Sequence, residues 1–92
     1  MPQKKFGSFG SYLKTARESR NITQSELAKK LGYTTSQFIS NWERGLCDPP
    51  FDAIPEISHF LGLSKRDIVN VILEQTKIDI ENRFSRKAAK RG

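Results

Sequence analysis

Apolar side chains recur along this chain at helical spacing, in short stretches separated by polar turns. Phe9, Leu13 and Ala16 fall at i, i+4 and i+7 and predict a first helix over about Phe9–Arg20, with Tyr12 at the edge of the stripe. Asn21-Ile22 makes a turn that contributes Ile22 to the core. Leu27, Ala28 and Leu31 predict a second helix. Thr23-Gln24-Ser25-Glu26 opens it as a capping box, and Gly32 closes it. The hydroxyls of Thr34, Thr35 and Ser36 are N-cap candidates for a third helix, in which Ile39 and Trp42 point inward and which Gly45 stops. Phe51, Ile54, Ile57 and Leu61 mark a fourth helix, with Asp52 as its N-cap and Pro55 in its first turn. Ser64-Lys65-Arg66-Asp67 caps a fifth, docked through Ile68, Val71 and Ile72. Its pattern continues through Leu73, Thr76, Ile80 and Phe84, with no Gly or Pro before Gly92.

The face of the third helix opposite Ile39 and Trp42 carries Ser36, Gln37, Ser40, Asn41 and Arg44. Short hydroxyl and amide side chains are rich in donors and acceptors and suit hydrogen bonding to base edges in a major groove. A merely solvated face would more often carry Lys and Glu. The plainer alternative is a polar surface helix with no ligand.

The stretch Thr23–Gly45 resembles the helix-turn-helix of the lambda-repressor-like, or xenobiotic-response-element (XRE), family of regulators. Thr23-Gln24, Leu27-Ala28, Leu31-Gly32, Ile39 and Trp42-Glu43-Arg44-Gly45 carry the likeness. Phe9, Leu13, Ala16 and Arg17 fit the family's first helix. Pro49, Phe51, Ile54, Ile57, Leu61 and Gly62 fit its fourth. Residues 8–72 are covered. The resemblance implies an all-α, compact five-helix lambda-repressor-like DNA-binding domain with an extended C-terminal helix. It also implies an Arg17–Glu43 ion pair across the fold, partly buried and structural in role. For DNA it implies base contacts from Ser36, Gln37, Ser40 and Asn41, and backbone contacts from Gln24, Thr35 and Arg44. Tyr33 reads equally as a phosphate contact or as a cover for the core. Phe38 reads as a ring packed between helices in preference to one touching a thymine methyl.

Two features depart from the family pattern. The step from Gly32 to Gly45 is thirteen, one longer than usual. Aligned backwards from Ile39, Thr35 is the N-cap and Ser36 and Gln37 are base readers. Aligned forwards, Thr34 is the cap and Gln37 completes a capping box. The inward demand of Ile39 and Trp42 favours the first. The loop Leu46-Cys47-Asp48-Pro49-Pro50 also lacks the Lys or Arg that relatives use to grip the backbone, shifting that burden to Arg44, backbone amides and the termini.

At 92 residues the chain has room for one domain with one small core. Its expected organisation is a flexible basic arm over 1–8, the helix-turn-helix domain over 9–72, and a helical extension ending in a loose basic tail over 73–92. The net charge of +6 favours a polyanionic partner. Half of the sixteen basic residues fall within 65–91, so much of that charge lies outside the core. The single cysteine, Cys47, excludes an intramolecular disulfide and fits a reducing cytoplasm, where the protein would associate with the nucleoid. Cys47 has no basic neighbour, so an incidental role is preferred to redox sensing. No apolar run approaches a membrane span, and MPQKKFGS is too polar for a signal peptide. His59 has no companion at metal-ligand spacing. No metal, no cofactor and no enzyme activity are expected.

The leading expectation is sequence-specific binding of double-stranded DNA, as a repressor acting as a homodimer on a two-fold operator. Leu73, Ile80 and Phe84 would form the dimer contact. An antitoxin or phage-type control protein would keep the DNA binding and place a protein partner on the C-terminal helix. A protein–protein adaptor that has lost DNA is the third class.

Overall fold

The computed structural model describes the backbone of residues 8–91 and the side chains of residues 8–85. Five helices follow in order: α1 (Phe9–Ser19), α2 (Gln24–Lys30), α3 (Gln37–Glu43), α4 (Ala53–Leu61) and α5 (Lys65–Arg91). Local chemistry sets most boundaries. Ser8 caps α1, its hydroxyl accepting from the Ser11 amide at 3.1 Å. The rest of the expected basic arm lies outside the described residues. Thr23 and Glu26 form both halves of the capping box on α2. At the other end of α2, Gly32 takes φ +88°, and the amides of Gly32 and Tyr33 return to the carbonyls of Lys29 and Ala28. That Schellman closure needs a left-handed residue, which glycine supplies without a Cβ clash. Ser64 caps α5 by accepting from the Asp67 amide.

One core joins all five helices. Phe9, Leu13 and Ala16 of α1 meet Leu27 and Ala28 of α2, Ile39 and Trp42 of α3, Ala53, Ile57 and Leu61 of α4, and Ile68 and Val71 of α5. Helix α3 packs on α1 and α2, while α5 packs on α1 and α4. Helix α5 borders the globule as far as Asp79, which with Gln75 lines a cavity beside Phe9 and Asp48, and the molecule measures 48 × 26 × 24 Å.

Several expectations change. Phe51, placed in the core from sequence, is 85% exposed. Ala53, Ile57 and Leu61 define the inward line of α4, and at 100° per residue a side chain two positions before Ala53 points away from it. Ile54, at the edge of that line and on the same side as Leu61, is half-buried. Asp52 makes no side-chain cap: its own backbone is already helical at φ −63°, ψ −25°, whereas a capping side chain works from an extended residue. The basic tail from Arg83 is helical through Arg91 instead of loose, since Lys, Arg and Ala favour a helix and no Gly or Pro interrupts it.

The short third helix is held to α1 by charge and by backbone proximity. Arg17 donates to Glu43 through two nitrogens, Nε to Oε2 at 2.7 Å and Nη2 to Oε1 at 3.1 Å, while Nη1 donates to the Ile22 carbonyl at 2.6 Å. Gln24 Nε2 adds a third donor to Glu43, at 3.0 Å from Oε1. Both charged side chains are nearly dry, at 8% and 2% exposure. The hydrogen bonding of Arg17 to the Glu43 carboxylate outweighs burial and holds the Arg17 pKa above its ordinary value. A raised pKa means that this contribution is complete at neutral pH and is lost only as pH rises past the ordinary arginine range. Nearby, Gly10 lets α1 approach the end of α3. A Cβ there would stand 2.5 Å from the Glu43 carbonyl oxygen and 2.6 Å from that of Trp42.

Two stability outcomes follow from this junction. Arg17→Met strands a buried carboxylate and lowers the urea-unfolding free energy by about 3 kcal/mol or more. Adding Glu43→Leu to it recovers at least half of that loss. Failure of the double variant to recover would mean that packing, not charge, holds the two helices. Gly10→Ala drives a methyl into backbone and costs about 2 kcal/mol, despite the better helix propensity of alanine, and appears as a lower melting temperature.

Candidate nucleic-acid interface

Helices α2 and α3, with the turn 31–36 between them, form the helix-turn-helix. Ile39 and Trp42 are buried, and Glu43 is clamped from behind, so the rotation of α3 about its axis is fixed. That rotation puts Ser36, Gln37, Ser40, Asn41 and Arg44 on the outer side. Gln37 and Arg44 are exposed, and the three shorter side chains are half-buried.

The start of α3 matches neither of the two alignments fully. Ser36 occupies the N-cap position but makes no side-chain cap. The Thr35 hydroxyl instead accepts from the Gln37 amide, at 3.2 Å, a local bond between residues two apart. Gln37 is the first helical residue, so it is no capping-box partner, and its side chain lies along the outer face. There Gln37 Nε2 donates to Asn41 Oδ1 at 3.0 Å, and Arg44 Nη2 donates to the same oxygen at 3.0 Å. This connection went unseen in the sequence, although the i, i+4, i+7 spacing of the three residues contains it.

The residues around the helix take varied roles. Gln24, expected on the DNA backbone, directs its amide at Glu43 and becomes part of the clamp, with one Nε2 hydrogen left over. Tyr33 is half-buried and lies edge-on to Trp42 with ring centroids 5.8 Å apart. Phe38 does not pack between helices. It is 47% exposed and lies against Tyr33, centroid to centroid 4.7 Å, because the six-residue turn brings Tyr33 up beside the first turn of α3. Thr35 is exposed beside this aromatic pair. Lys29 and Lys30 are exposed, and Lys30 extends over the Phe60 ring, 5.5 Å from its centroid. Cys47 is free and exposed, and His59 is exposed. Leu73, Ile80 and Phe84 are 60%, 50% and 71% exposed on α5. Among the described residues no cluster of His, Cys, Asp and Glu is placed to hold a metal ion, and no helix is long and apolar enough to cross a membrane.

In chemical terms the outer face of α3 offers amides, hydroxyls and one guanidinium on a rigid support. It has no nucleophile paired with a base. Its donors and acceptors fit base edges and phosphates.

The helix-turn-helix family profile matches residues 13–68, more than half of the chain. Among curated proteins none matches the sequence significantly. Among solved structures, the clp gene regulator ClgR from Corynebacterium glutamicum superposes with a TM-score of 0.60 at 22% identity, over 89% of this chain and 83% of that one. At that identity the likeness speaks for the fold. The family match covers all of α2 and α3 and the turn between them, and on that ground the chain belongs to the XRE-type helix-turn-helix family of DNA-binding transcriptional regulators.

Proposed function

We propose that this protein is a repressor that binds a two-fold DNA operator as a homodimer, in the cytoplasm at the nucleoid. The observation that carries the reading is the outer face of α3, polar throughout and locked in rotation by the Arg17–Glu43 clamp behind it. Helix α3 enters the major groove, where the surface formed by Ser36, Gln37, Ser40 and Asn41 faces the bases. Tyr33 and Thr35 border it toward the phosphates, and the spare amide hydrogen of Gln24 serves the same purpose. Occlusion of polymerase at the operator is the simplest route from binding to repression.

The pattern on α5 supports the dimer. Ile68, Val71 and Ile72 dock on the domain. At 100° per residue, Leu73, Ile80 and Phe84 share a face about 140° round from Ile68. One straight helix cannot turn both faces to its own core. The second is an exposed apolar stripe that a twin helix would cover.

Selection of the purified protein on random duplexes at about 0.15 M salt tests the reading. The expected result is an enriched two-fold motif with half-sites about one helical turn, ~34 Å, apart. A single unpaired half-site removes the dimer, and no enrichment favours the adaptor class. Replacing Leu73, Ile80 and Phe84 together by Ser, Gln and Ser should give a monomer in sedimentation equilibrium and lower operator affinity at least tenfold, with helical content retained.

A further inference from the structure

Resting on the DNA-binding reading, we infer that Asn41 is a positioning residue, and that Gln37 and Arg44, held by it, are the specificity-determining pair, for an adenine and a guanine no more than about two base pairs apart. The inference starts from one oxygen. Asn41 Oδ1 accepts from Gln37 Nε2 and from Arg44 Nη2, each at 3.0 Å. A guanidinium has donors only, so the Asn41 atom facing it is the carbonyl oxygen and the Gln37 atom facing the same oxygen is its nitrogen. Both lone pairs of Asn41 Oδ1 are therefore used. Bidentate pairing of an asparagine with adenine needs that oxygen to accept from the base N6 amine. Asn41 would have to release both neighbours to do so.

Gln37 and Arg44 are in the opposite position. Gln37 keeps its Oε1 acceptor and a second Nε2 hydrogen, the pair that adenine N6 and N7 require. Arg44 has committed one donor to Asn41 and forms no ion pair among the described residues, leaving donors for guanine O6 and N7. Its anchor lies on the outer face of α3, which draws the guanidinium toward the bases and away from the flanking phosphates. Because both donors lie 3.0 Å from one oxygen, Gln37 Nε2 and Arg44 Nη2 are no more than about 6 Å apart, less than two base steps of ~3.4 Å.

Random-duplex selection with the full chain and five variants tests this. The wild type should enrich an adenine and a guanine in each half-site at that separation. Gln37→Ala should erase only the adenine preference. Arg44→Lys keeps the charge but loses the fork, and should cut guanine discrimination about 5- to 150-fold with the salt slope unchanged. Asn41→Ala should blunt both preferences and remove no third one. Asn41→Asp keeps both acceptor bonds but has no amide to donate, and should retain both preferences while weakening all duplexes alike. If Asn41→Asp abolishes a base preference of its own, Asn41 is a reader and the inference is overturned. If Arg44→Ala only weakens all duplexes and lowers the salt slope, Arg44 is a phosphate contact and the inference is likewise overturned. A wild-type protein that enriches nothing overturns the DNA-binding reading itself, an outcome distinct from a motif that these variants fail to divide as stated.

Discussion

A buried carboxylate governs this molecule. Glu43 sits at the end of a seven-residue helix, 2% exposed, and survives there because Arg17 and Gln24 surround it with three donors. Two turns of helix have little stability of their own in water. Ile39 and Trp42 give α3 an inward side, but two anchors leave room for rocking. The bidentate pair from α1 removes that freedom at the C-terminal end, and the donation from Gln24 ties the start of α2 to the same point. The Nη1 bond to the Ile22 carbonyl extends the clamp into the turn between α1 and α2. Every outward-facing residue of α3 takes its direction from this arrangement.

The longer step between Gly32 and Gly45 finds its physical meaning in the turn. The turn takes up residues 31–36, ahead of α3, and Ile39 and Trp42 both face inward. It brings Tyr33 beside both Phe38 and Trp42, its ring tilted against the first and edge-on to the second. Aromatic contacts of this kind add about 0.5–1.5 kcal/mol each beyond area burial. They stiffen a turn that runs from Tyr33 into three short hydroxyl residues, Thr34, Thr35 and Ser36.

Sequence patterning reaches the parts of this fold where one helix face must be apolar. The stripes of α1, α2 and α3, the capping box at Thr23 and the glycine closing α2 are local properties, and each is visible within a few residues of chain. Phe51 misled because hydrophobicity alone carries no direction; only the line through Ala53, Ile57 and Leu61 shows that a side chain two positions earlier faces outward. Gly10 gave no local signal at all, since its role is set by the carbonyls of Trp42 and Glu43, more than thirty positions away. Gln24 shows the same limit. Its place at a helix start suggests phosphate, while its actual partner comes from another helix. For the face of α3, spacing reveals which residues share a side but not which of them bond to one another.

That internal bonding bears on how a domain this small can be selective. Ser36, Ser40 and Asn41 are short and half-buried, so they let the body of α3 approach a groove closely. The two long side chains, Gln37 and Arg44, flank Asn41 about one helical turn to either side. Free, each would lose rotamer freedom on binding, at about 0.5–1.5 kcal/mol per immobilised side chain. Held to a common acceptor, both have part of that ordering complete before DNA arrives. The same logic reaches back to Glu43. Positions ordered in advance are useful only if the helix that carries them is also fixed, and a clamp buried against α1 fixes it without drawing on any side chain of the outer face.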